Sequence, residues 1–382
     1  MEKIVVAIDL GESLTKVIYK IGLMPIDWIA MHSGIARISM KELQSFLSSA
    51  GVMGITNSDG RMWIRTKAQG VIGIGTIAKK FVNLRQPSKP KYEDAVAKVL
   101  AAIALIVRIN QLSLKGVVVN LGVLLPYDEQ GNHKLFQDFL NREIASYEFC
   151  GETYSIELAS LKVNSEGSGL ALIQGEREGA EWIAERKLGV VMLGHRNTSA
   201  VYFDKGELVK AQSPLVGFKG VIEQIESMNP GLETELLIEA IWKVFLSDRE
   251  NFKTKNYPNW HKFVSIRRLS TAHSKTLKKK ETKQLSDSIN EALYLQEEKL
   301  EYLFNDIFPH DIDAVIIGGG SATLFQKFLQ RYFFQERNKI SIVWNHKIVR
   351  EIEAKLSMSE FSYMMLAERY LDLYSYFSAI NN

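Results

Sequence analysis

The chain has 382 residues, of which 46% are hydrophobic and 24% charged, a composition typical of a globular protein long enough for two domains. Its net charge of +3 is too small to indicate a polyanionic partner by itself, and a single cysteine, Cys150, excludes an internal disulfide framework. The first apolar run, Ile4–Ile8, is too short for a signal peptide, and no stretch approaches the ~20 apolar residues of a membrane span. We expect a cytoplasmic protein with no membrane partner.

Short runs rich in β-branched residues alternate along the chain with longer helical patterns, which is typical of α/β proteins with buried, partly parallel sheets. The predicted strands are Ile4–Ile8, Leu14–Lys20, one further strand within residues 26–38, Val117–Leu121, Gly189–Leu193, Ala200–Phe203 and Ala314–Ile317. The predicted helices are Lys91–Asn110, Leu285–Ile307, Phe325–Phe334 and Ser359–Ala379. Loops are predicted at Asn57–Gly60 and Asn256–Asn259.

One pattern occurs twice at long range: a strand, a glycine turn and a second strand. It covers Ile4–Lys20 and again Val190–Phe203. A repeat of this kind in the two halves of a chain predicts two related domains.

The first of these turns, in the segment Asp9–Lys16, carries residue types that bind phosphate. A tight turn between strands gathers backbone N–H groups into a concavity that suits phosphate oxygens, and Gly11 leaves room for a phosphate to approach. Asp9 would hold Mg²⁺ through water, and Lys16 would neutralise phosphate charge. The alternative is a plain β-hairpin with a glycine turn.

A carboxylate follows another predicted strand, at Glu166 within Val163–Gly169. Such a group can orient an attacking water in phosphoryl transfer. The alternative is a solvated glutamate that caps the helix beginning near Leu170.

Two further glycine turns follow strands later in the chain. Gly194, with the polar residues Asn197, Thr198 and Ser199, predicts a second phosphate hairpin. The run Gly318–Gly320, directly after an apolar strand, lets backbone approach a flat ligand, and the helix that follows favours negative charge at its start. The alternative for this run is a simple connector.

The order and spacing of these four segments resemble the actin, sugar-kinase and DnaK-chaperone superfamily, and within it the bacterial ParM/StbA actin-like proteins. The resemblance implies two RNase H-like α/β domains, each with a mixed five-stranded sheet flanked by helices, and a nucleotide cleft between them. It places the first domain at residues 1–185 plus 358–382, with a small subdomain at about 30–105. The second domain would span residues 186–357, with a helical subdomain at about 218–305.

The resemblance also implies roles for individual residues. The catalytic groups would be Glu166 and Asp9, the latter also binding the metal through water. The nucleotide would contact Gly11, Ser13, Lys16, Gly194, Asn197, Thr198, Gly318, Gly319, Gly320 and Ser321. The expected cofactor is Mg²⁺ with ATP or GTP. The expected partners are other copies of the chain in a filament and a DNA-binding adaptor protein, so that filaments move plasmid copies apart.

Several residues depart from the family pattern. Met192 stands where the family has an aspartate, and a thioether is a poor ligand for Mg²⁺. Ser199 stands where it has another acid, and Glu12 puts a carboxylate where a small residue is usual. The closing-helix motif is replaced by Phe361–Leu366. These departures leave open a pseudo-ATPase scaffold of the same fold with weak or no hydrolysis, and a small-molecule kinase is a weaker alternative.

One stretch of the chain is rich in basic residues. It comprises Arg267, Arg268, Lys275, Lys278, Lys279, Lys280 and Lys283. The stretch is interpreted as a solvated face, with contact to DNA or to an acidic partner as the alternative. No direct sequence-specific DNA binding is predicted, because the resemblance assigns DNA contact to the adaptor.

Overall fold

A computed structural model of the protein describes residues 2–52, 62–81, 91–248, 257–337, 340–358 and 366–381. The predicted loop at Asn57–Gly60, residue 256 of the second predicted loop and residues 361–365 of the closing-helix motif lie outside these ranges. The chain divides into two compact units, Met1–Ser168 with Leu373–Asn382, and Gly169–Asp372. The domain boundaries expected from the family resemblance stay a prediction.

Both units are built from strands and helices in alternation. The strands are β1 Lys3–Asp9, β2 Thr15–Ile21, β3 Asp27–Met31, β4 Ile35–Ile38, β5 Trp63–Thr66, β6 Gly70–Ile74, β7 Lys115–Leu125, β8 Tyr147–Phe149, β9 Glu152–Ser165, β10 Lys187–Leu193, β11 Thr198–Asp204, β12 Glu207–Gln212, β13 Ala314–Gly318 and β14 Ser341–Val343. The α-helices are α1 Met40–Val52, α2 Thr76–Phe81, α3 Lys91–Ile109, α4 His133–Glu143, α5 Ser168–Glu178, α6 Ala180–Ala184, α7 Phe218–Met228, α8 Thr234–Ser247, α9 Val264–Arg267, α10 Lys275–Ile307, α11 Gln326–Gln330, α12 His346–Lys355 and α13 Leu371–Asn381.

The two units share one sheet topology. In the first unit the strand order begins β3-β2-β1-β7-β9, and in the second it is β12-β11-β10-β13-β14. In each set of five, the first three strands along the chain form two antiparallel pairs. In the first unit β1 runs parallel to β7 and β7 to β9, and in the second β10 runs parallel to β13 and β13 to β14. This is the predicted RNase H-like mixed sheet, and the shared order confirms the repeat indicated by the two hairpins.

The first sheet differs from the prediction in its size. Among the described residues it has nine strands, because the long strand β9 also pairs antiparallel with β8, which leads on to β5, β6 and β4. The region 26–38 forms two strands where one was predicted. The reason is that β3 pairs with β2, whereas β4, after a break at residues 32–34, pairs with β6.

Three predicted helices differ from the structure, either at their ends or by an internal division. Helix α10 begins ten residues before the predicted start, where the hydroxyl of Ser274 accepts a hydrogen bond from the N–H of Leu277 at 3.2 Å and caps the helix. The predicted helix Phe325–Phe334 is divided into α11 and a π-helical segment, Arg331–Glu336. The described part of the predicted closing helix Ser359–Ala379 begins with a short 3-10 turn at Ala367 and continues as α13.

Each unit has its own hydrophobic core. Helix α3 is buried on nearly all sides in the first core, which explains why apolar residues surround it instead of forming a single stripe. In the second unit α10 contributes the predicted stripe, including Leu285, Ile289 and Phe304. Within the described ranges, none of the helices is long and apolar enough to cross a membrane.

Gly122 marks the place where β7 contacts the end of the chain. A Cβ atom at this position would lie 2.7 Å from Ile380 Cδ1 and 2.8 Å from Tyr376 Cε1. The Tyr376 hydroxyl donates a hydrogen bond to the carbonyl of Lys162 at 3.0 Å. The sheet therefore accepts these side chains only because position 122 has none.

We expect Gly122→Ala to lower the free energy of unfolding by about 1–3 kcal/mol through overpacking. Gly131→Ala is the matched control, because no atom lies within 4 Å of a Cβ built there, and it should change the free energy by less than ~0.5 kcal/mol. Urea unfolding followed by circular dichroism compares the two variants. Equal effects would contradict the packing of Tyr376 and Ile380 on β7.

Candidate functional site

The first hairpin turn is bounded by a buried ion pair. Asp9, the last residue of β1, lies opposite Lys16 of β2 in the strand register. The Lys16 ammonium contacts the Asp9 carboxylate, and the two side chains are only 11% and 8% exposed. Charges this shielded from water are stable only when paired. The pair therefore holds one carboxylate and one ammonium next to the first turn, at the end of β1.

The turn itself is closed by Gly11. A Cβ atom there would lie 2.8 Å from the carbonyl oxygen of Leu14, so a side chain would force the turn open. Gly11, Glu12 and Ser13 are half-buried. The hydroxyl of Ser33 donates a hydrogen bond to the backbone carbonyl of Glu12. This contact orients the backbone of the turn.

Glu166 lies at the same edge of the first sheet as the ion pair. Asp9 is in register with Leu124 of β7, and Leu124 with Asn164 of β9. Glu166 follows β9 directly, and its N–H donates to the carbonyl of Leu125 at 2.8 Å. Two strand spacings, roughly 10 Å, separate the backbones of β1 and β9. The fold thus brings residues that are far apart in sequence to one edge, where the carboxyl ends of parallel strands meet.

The second hairpin turn repeats the geometry of the first. A Cβ atom at Gly194 would lie 2.8 Å from the carbonyl oxygen of Asn197, again three residues ahead. The N–H of Gly194 donates to that same oxygen at 3.0 Å. The hydroxyl of Thr198 donates to the carbonyl of Val216, and Thr198 is fully buried. Two glycines in matching topological positions therefore impose the same tight turn.

A short sequence repeat underlies this match. The segments Leu10–Thr15 and Leu193–Thr198 both read Leu-Gly, three variable residues and Thr. Thr15, like Thr198, is fully buried, although among the described residues its hydroxyl has no hydrogen-bond partner. Sequence reasoning identified both glycines and Thr198 but missed Thr15, which this repeat could have revealed.

The two hairpins differ in charge at the paired strand positions next to the turn. Two residues before the glycine the first has Asp9 and the second Met192, and the residues opposite them in register are Lys16 and Ser199. Met192 is 7% exposed, and its sulfur lies 3.1 Å from the position of a Cβ at Gly318. The buried ion pair of the first unit is thus replaced by neutral side chains in the second.

Ser199 belongs to a small buried polar group. The hydroxyl of Ser213 donates to Ser199 Oγ at 2.8 Å, and the side-chain amide of Asn197 donates to it at 3.4 Å. All three residues are at least nine-tenths buried. Asn197 therefore also helps to position the second turn from within its own unit.

The glycine run after β13 is surrounded by its own unit. A Cβ at Gly318 would lie 2.6 Å from Leu170 Cδ1, and one at Gly319 2.2 Å from the carbonyl oxygen of Leu193. Gly319 also has a φ of +97°, which favours glycine. Ser321, directly after the run, donates its hydroxyl to the Gly194 carbonyl at 3.0 Å. The run and the second hairpin turn are therefore one connected structure.

Arg369, near the end of the chain, is a neighbour that sequence reasoning did not identify. A Cβ at Gly320 would lie 2.6 Å from Arg369 Cγ, and Arg369 is 6% exposed. A buried arginine beside the glycine run makes Gly320 necessary for packing. No sequence pattern distinguishes it, because Glu368 and Asp372 are also charged in the same segment.

The predicted residues thus form two sets. The first unit brings together Asp9, Gly11, Ser13, Lys16 and Glu166, and the second brings together Gly194, Asn197, Thr198, Gly318, Gly319, Gly320 and Ser321. Among the residues that the structure describes, no cluster of three or more His, Cys, Asp or Glu could hold a metal ion. Mg²⁺ is usually held by one or two carboxylates together with water and substrate phosphates. Asp9 at a strand end fits that pattern.

Comparisons with known proteins identify the fold. No family model matches the chain, and no curated protein matches it. Solved structures match it over almost its whole length. ParM from Bacillus thuringiensis with ATP is 13% identical, with a TM-score of 0.57, and 99% of this chain and 98% of that chain are covered. The chain has the actin-like fold.

Two further actin-like structures show similar agreement. An archaeal actin homologue is 14% identical, with a TM-score of 0.56 and 99% of both chains covered. AlfA from a Bacillus subtilis plasmid, solved as a filament, is 10% identical, with a TM-score of 0.50 and 97% of both chains covered. The shared strand order and the two glycine hairpins agree with this actin-like assignment.

A double-mutant cycle tests the Asp9–Lys16 pair. We expect Asp9→Asn and Lys16→Met each to lower the free energy of unfolding by about 2 kcal/mol or more, because each leaves a buried charge without its counter-ion. The double variant should lose about 1–3 kcal/mol less than the sum. Chemical denaturation of the four proteins measures this coupling.

Lys20→Met provides the control for this cycle. Lys20 lies on the same strand but opposite Val5, so its effect should add to that of Asp9→Asn within ~0.5 kcal/mol. Additivity of Asp9→Asn with Lys16→Met would show that the two charges do not stabilise one another.

Proposed function

We propose that the protein is a ParM-type actin-like protein that binds a magnesium nucleotide and polymerises into nucleotide-dependent filaments that segregate plasmid DNA. The observation that carries the proposal is the pair of glycine hairpins, one in each unit, at the same position in the same sheet topology. A single hairpin of this kind is an ordinary turn. Two related ones, with charged groups at one of them, favour phosphate binding.

In the proposed complex each hairpin turn binds phosphate oxygens through its backbone N–H groups. Gly11 and Gly194 let the phosphates approach, and Lys16 neutralises part of their charge. Asp9 holds the metal through water, and the metal supplies further neutralisation of the phosphates. Gly318, Gly319, Gly320 and Ser321 lie against the nucleoside.

Glu166 would be the group that acts on water. It is half-buried and lies at the edge of the first sheet that also carries Asp9 and Lys16. A carboxylate there can accept a hydrogen bond from water and orient it for attack on the terminal phosphate. Its place at the end of a strand, with its N–H bound to β7, gives it a fixed backbone position.

Filament formation is proposed from the proteins that share the fold. AlfA was solved as a filament, and ParM of Bacillus thuringiensis was solved with ATP, AMPPNP and ADP. A DNA-binding adaptor would connect the filament to its cargo.

A pseudo-ATPase scaffold is the second candidate, and Met192 favours it. Where the first unit has a buried ion pair, the second has Met192 and Ser199, both packed inside the unit, and the Met192 thioether is a poor partner for a magnesium-bound water. Nucleotide binding and assembly would then persist while hydrolysis is weak or lost.

Sedimentation with a phosphate-release assay on the same samples tests the proposal. With Mg-ATP or Mg-GTP we expect the protein to pellet above a critical concentration and to release phosphate. Without nucleotide it should stay in the supernatant. Glu166→Gln should still pellet but release phosphate about 10²–10⁴-fold more slowly, because it removes the group that orients water.

Glu157→Gln is the matched control, because Glu157 is an exposed glutamate of the same strand, β9. It should pellet and hydrolyse like the unmodified protein. If the unmodified protein pellets without releasing phosphate, the pseudo-ATPase scaffold is favoured over an active nucleotide hydrolase. No nucleotide-dependent pelleting at any concentration would overturn the filament proposal.

A further inference from the structure

The basic residues noted in the sequence lie exposed around the start of the longest described helix, α10, and Lys275, Lys279 and Lys283 share one side of it. We call this the basic surface, and its residues are Arg267, Arg268, Lys275, Lys278, Lys279, Lys280 and Lys283. The lysines occupy the first turns of α10, and the arginines lie at the end of α9, which packs against α10. All seven side chains are exposed.

Within the described part of the chain, none of these seven cations forms a hydrogen bond or an ion pair through its side chain. Glu281 is the only acid between residues 267 and 283. Its carboxylate accepts hydrogen bonds from the Ser270 hydroxyl at 2.7 Å and the Ala272 N–H at 3.3 Å. The one local acid therefore fixes the preceding loop, and the basic surface keeps a strong net positive charge.

This arrangement works against the stability of the helix. The N-terminus of a helix carries partial positive charge, which disfavours cations in the first turns. Lys275, Lys279 and Lys283 are four residues apart, so like charges repel along one side of α10. The fold gains no ion pair in return. A costly charge cluster that folding does not use points to an external anion.

We propose that the basic surface binds the phosphate backbone of nucleic acid without reading its sequence. Lys275, Lys279 and Lys283 rise by about 6 Å per step along the helix, which gives a repeating row of charge for a polyanion. Between residues 267 and 283 there is no Phe, Tyr or Trp, and His273 is the only aromatic ring beside the seven cations. The cations therefore favour charge contact with the phosphate backbone over stacking on bases.

An acidic protein fits the basic surface less well. Protein interfaces usually contain buried apolar or aromatic anchors. Leu277, 56% exposed, is the only large apolar residue exposed between residues 267 and 283. The prediction of no sequence-specific DNA binding is unaffected, and the inference does not depend on nucleotide binding or filament assembly.

Fluorescence anisotropy of a labelled 24-base-pair duplex of arbitrary sequence, titrated with the full chain without nucleotide, tests this inference. We expect binding at 50 mM salt that weakens steeply as salt rises. The triple variant Lys275→Gln, Lys279→Gln, Lys283→Gln should bind at least tenfold more weakly. Its slope of log affinity against log salt should be shallower by about 0.9 for each lysine that contacts a phosphate.

The matched control is Lys41→Gln, Lys134→Gln, Lys347→Gln, which removes three exposed lysines elsewhere and the same total charge. Its affinity should stay within twofold of the unmodified protein. Near-ultraviolet circular dichroism verifies that both variants are folded. Equal losses of DNA affinity in the two triple variants would overturn the inference, because the binding would then depend on the net charge of the protein and not on the basic surface. Binding of an oligoglutamate but not of the duplex would overturn it in favour of an acidic protein partner.

Discussion

The tight turn at Gly11 and its counterpart at Gly194 govern the geometry on which the proposed site depends. At each, a carbonyl oxygen three residues ahead lies 2.8 Å from where a Cβ would be. Only glycine leaves the turn closed, and only a closed turn brings its N–H groups together at the strand end. Each turn joins the first two strands of a five-stranded sheet core in which β1 and β10 have parallel neighbours. The repeated fold therefore presents two related backbone turns, one in each unit.

The two turns differ in the charge of the strand residues next to them. In the first unit the register position next to the turn carries a buried ion pair, Asp9 with Lys16. In the second the same position carries Met192 and Ser199, which are neutral and packed among their neighbours. Of the residues proposed to act on nucleotide, all the ionisable ones, Asp9, Lys16 and Glu166, belong to the first unit. The second contributes backbone, glycines and neutral side chains. In the proposed function, metal binding and charge neutralisation therefore depend on residues of the first unit, and this asymmetry bears most directly on hydrolysis.

Much of the fold could be predicted from the sequence because it depends on local patterns. The apolar runs of β1, β7, β10 and β13 and the stripe of α10 follow directly from hydrophobic periodicity. The four strands β8, β5, β6 and β4 were not foreseen as part of the first sheet, because their pairing depends on the unusual length of β9. No local pattern reports such a distant pairing.

The candidate site was predictable in its residue types and less so in its contacts. Gly11, Gly194 and the run after β13 were found because glycines at strand ends are conspicuous. The ion pair of Asp9 with Lys16 required the strand register. The burial of Arg369 beside Gly320 required the end of the chain to fold back within the second unit, where no sequence pattern points.

Hydrogen–deuterium exchange with and without Mg-ATP or Mg-GTP tests the central proposal, that each glycine hairpin binds nucleotide phosphate. The account predicts slower amide exchange in residues 10–16 and 194–198 when nucleotide is added, and no change in the exposed hairpin between β11 and β12. Protection confined to one hairpin, or to neither, would contradict it.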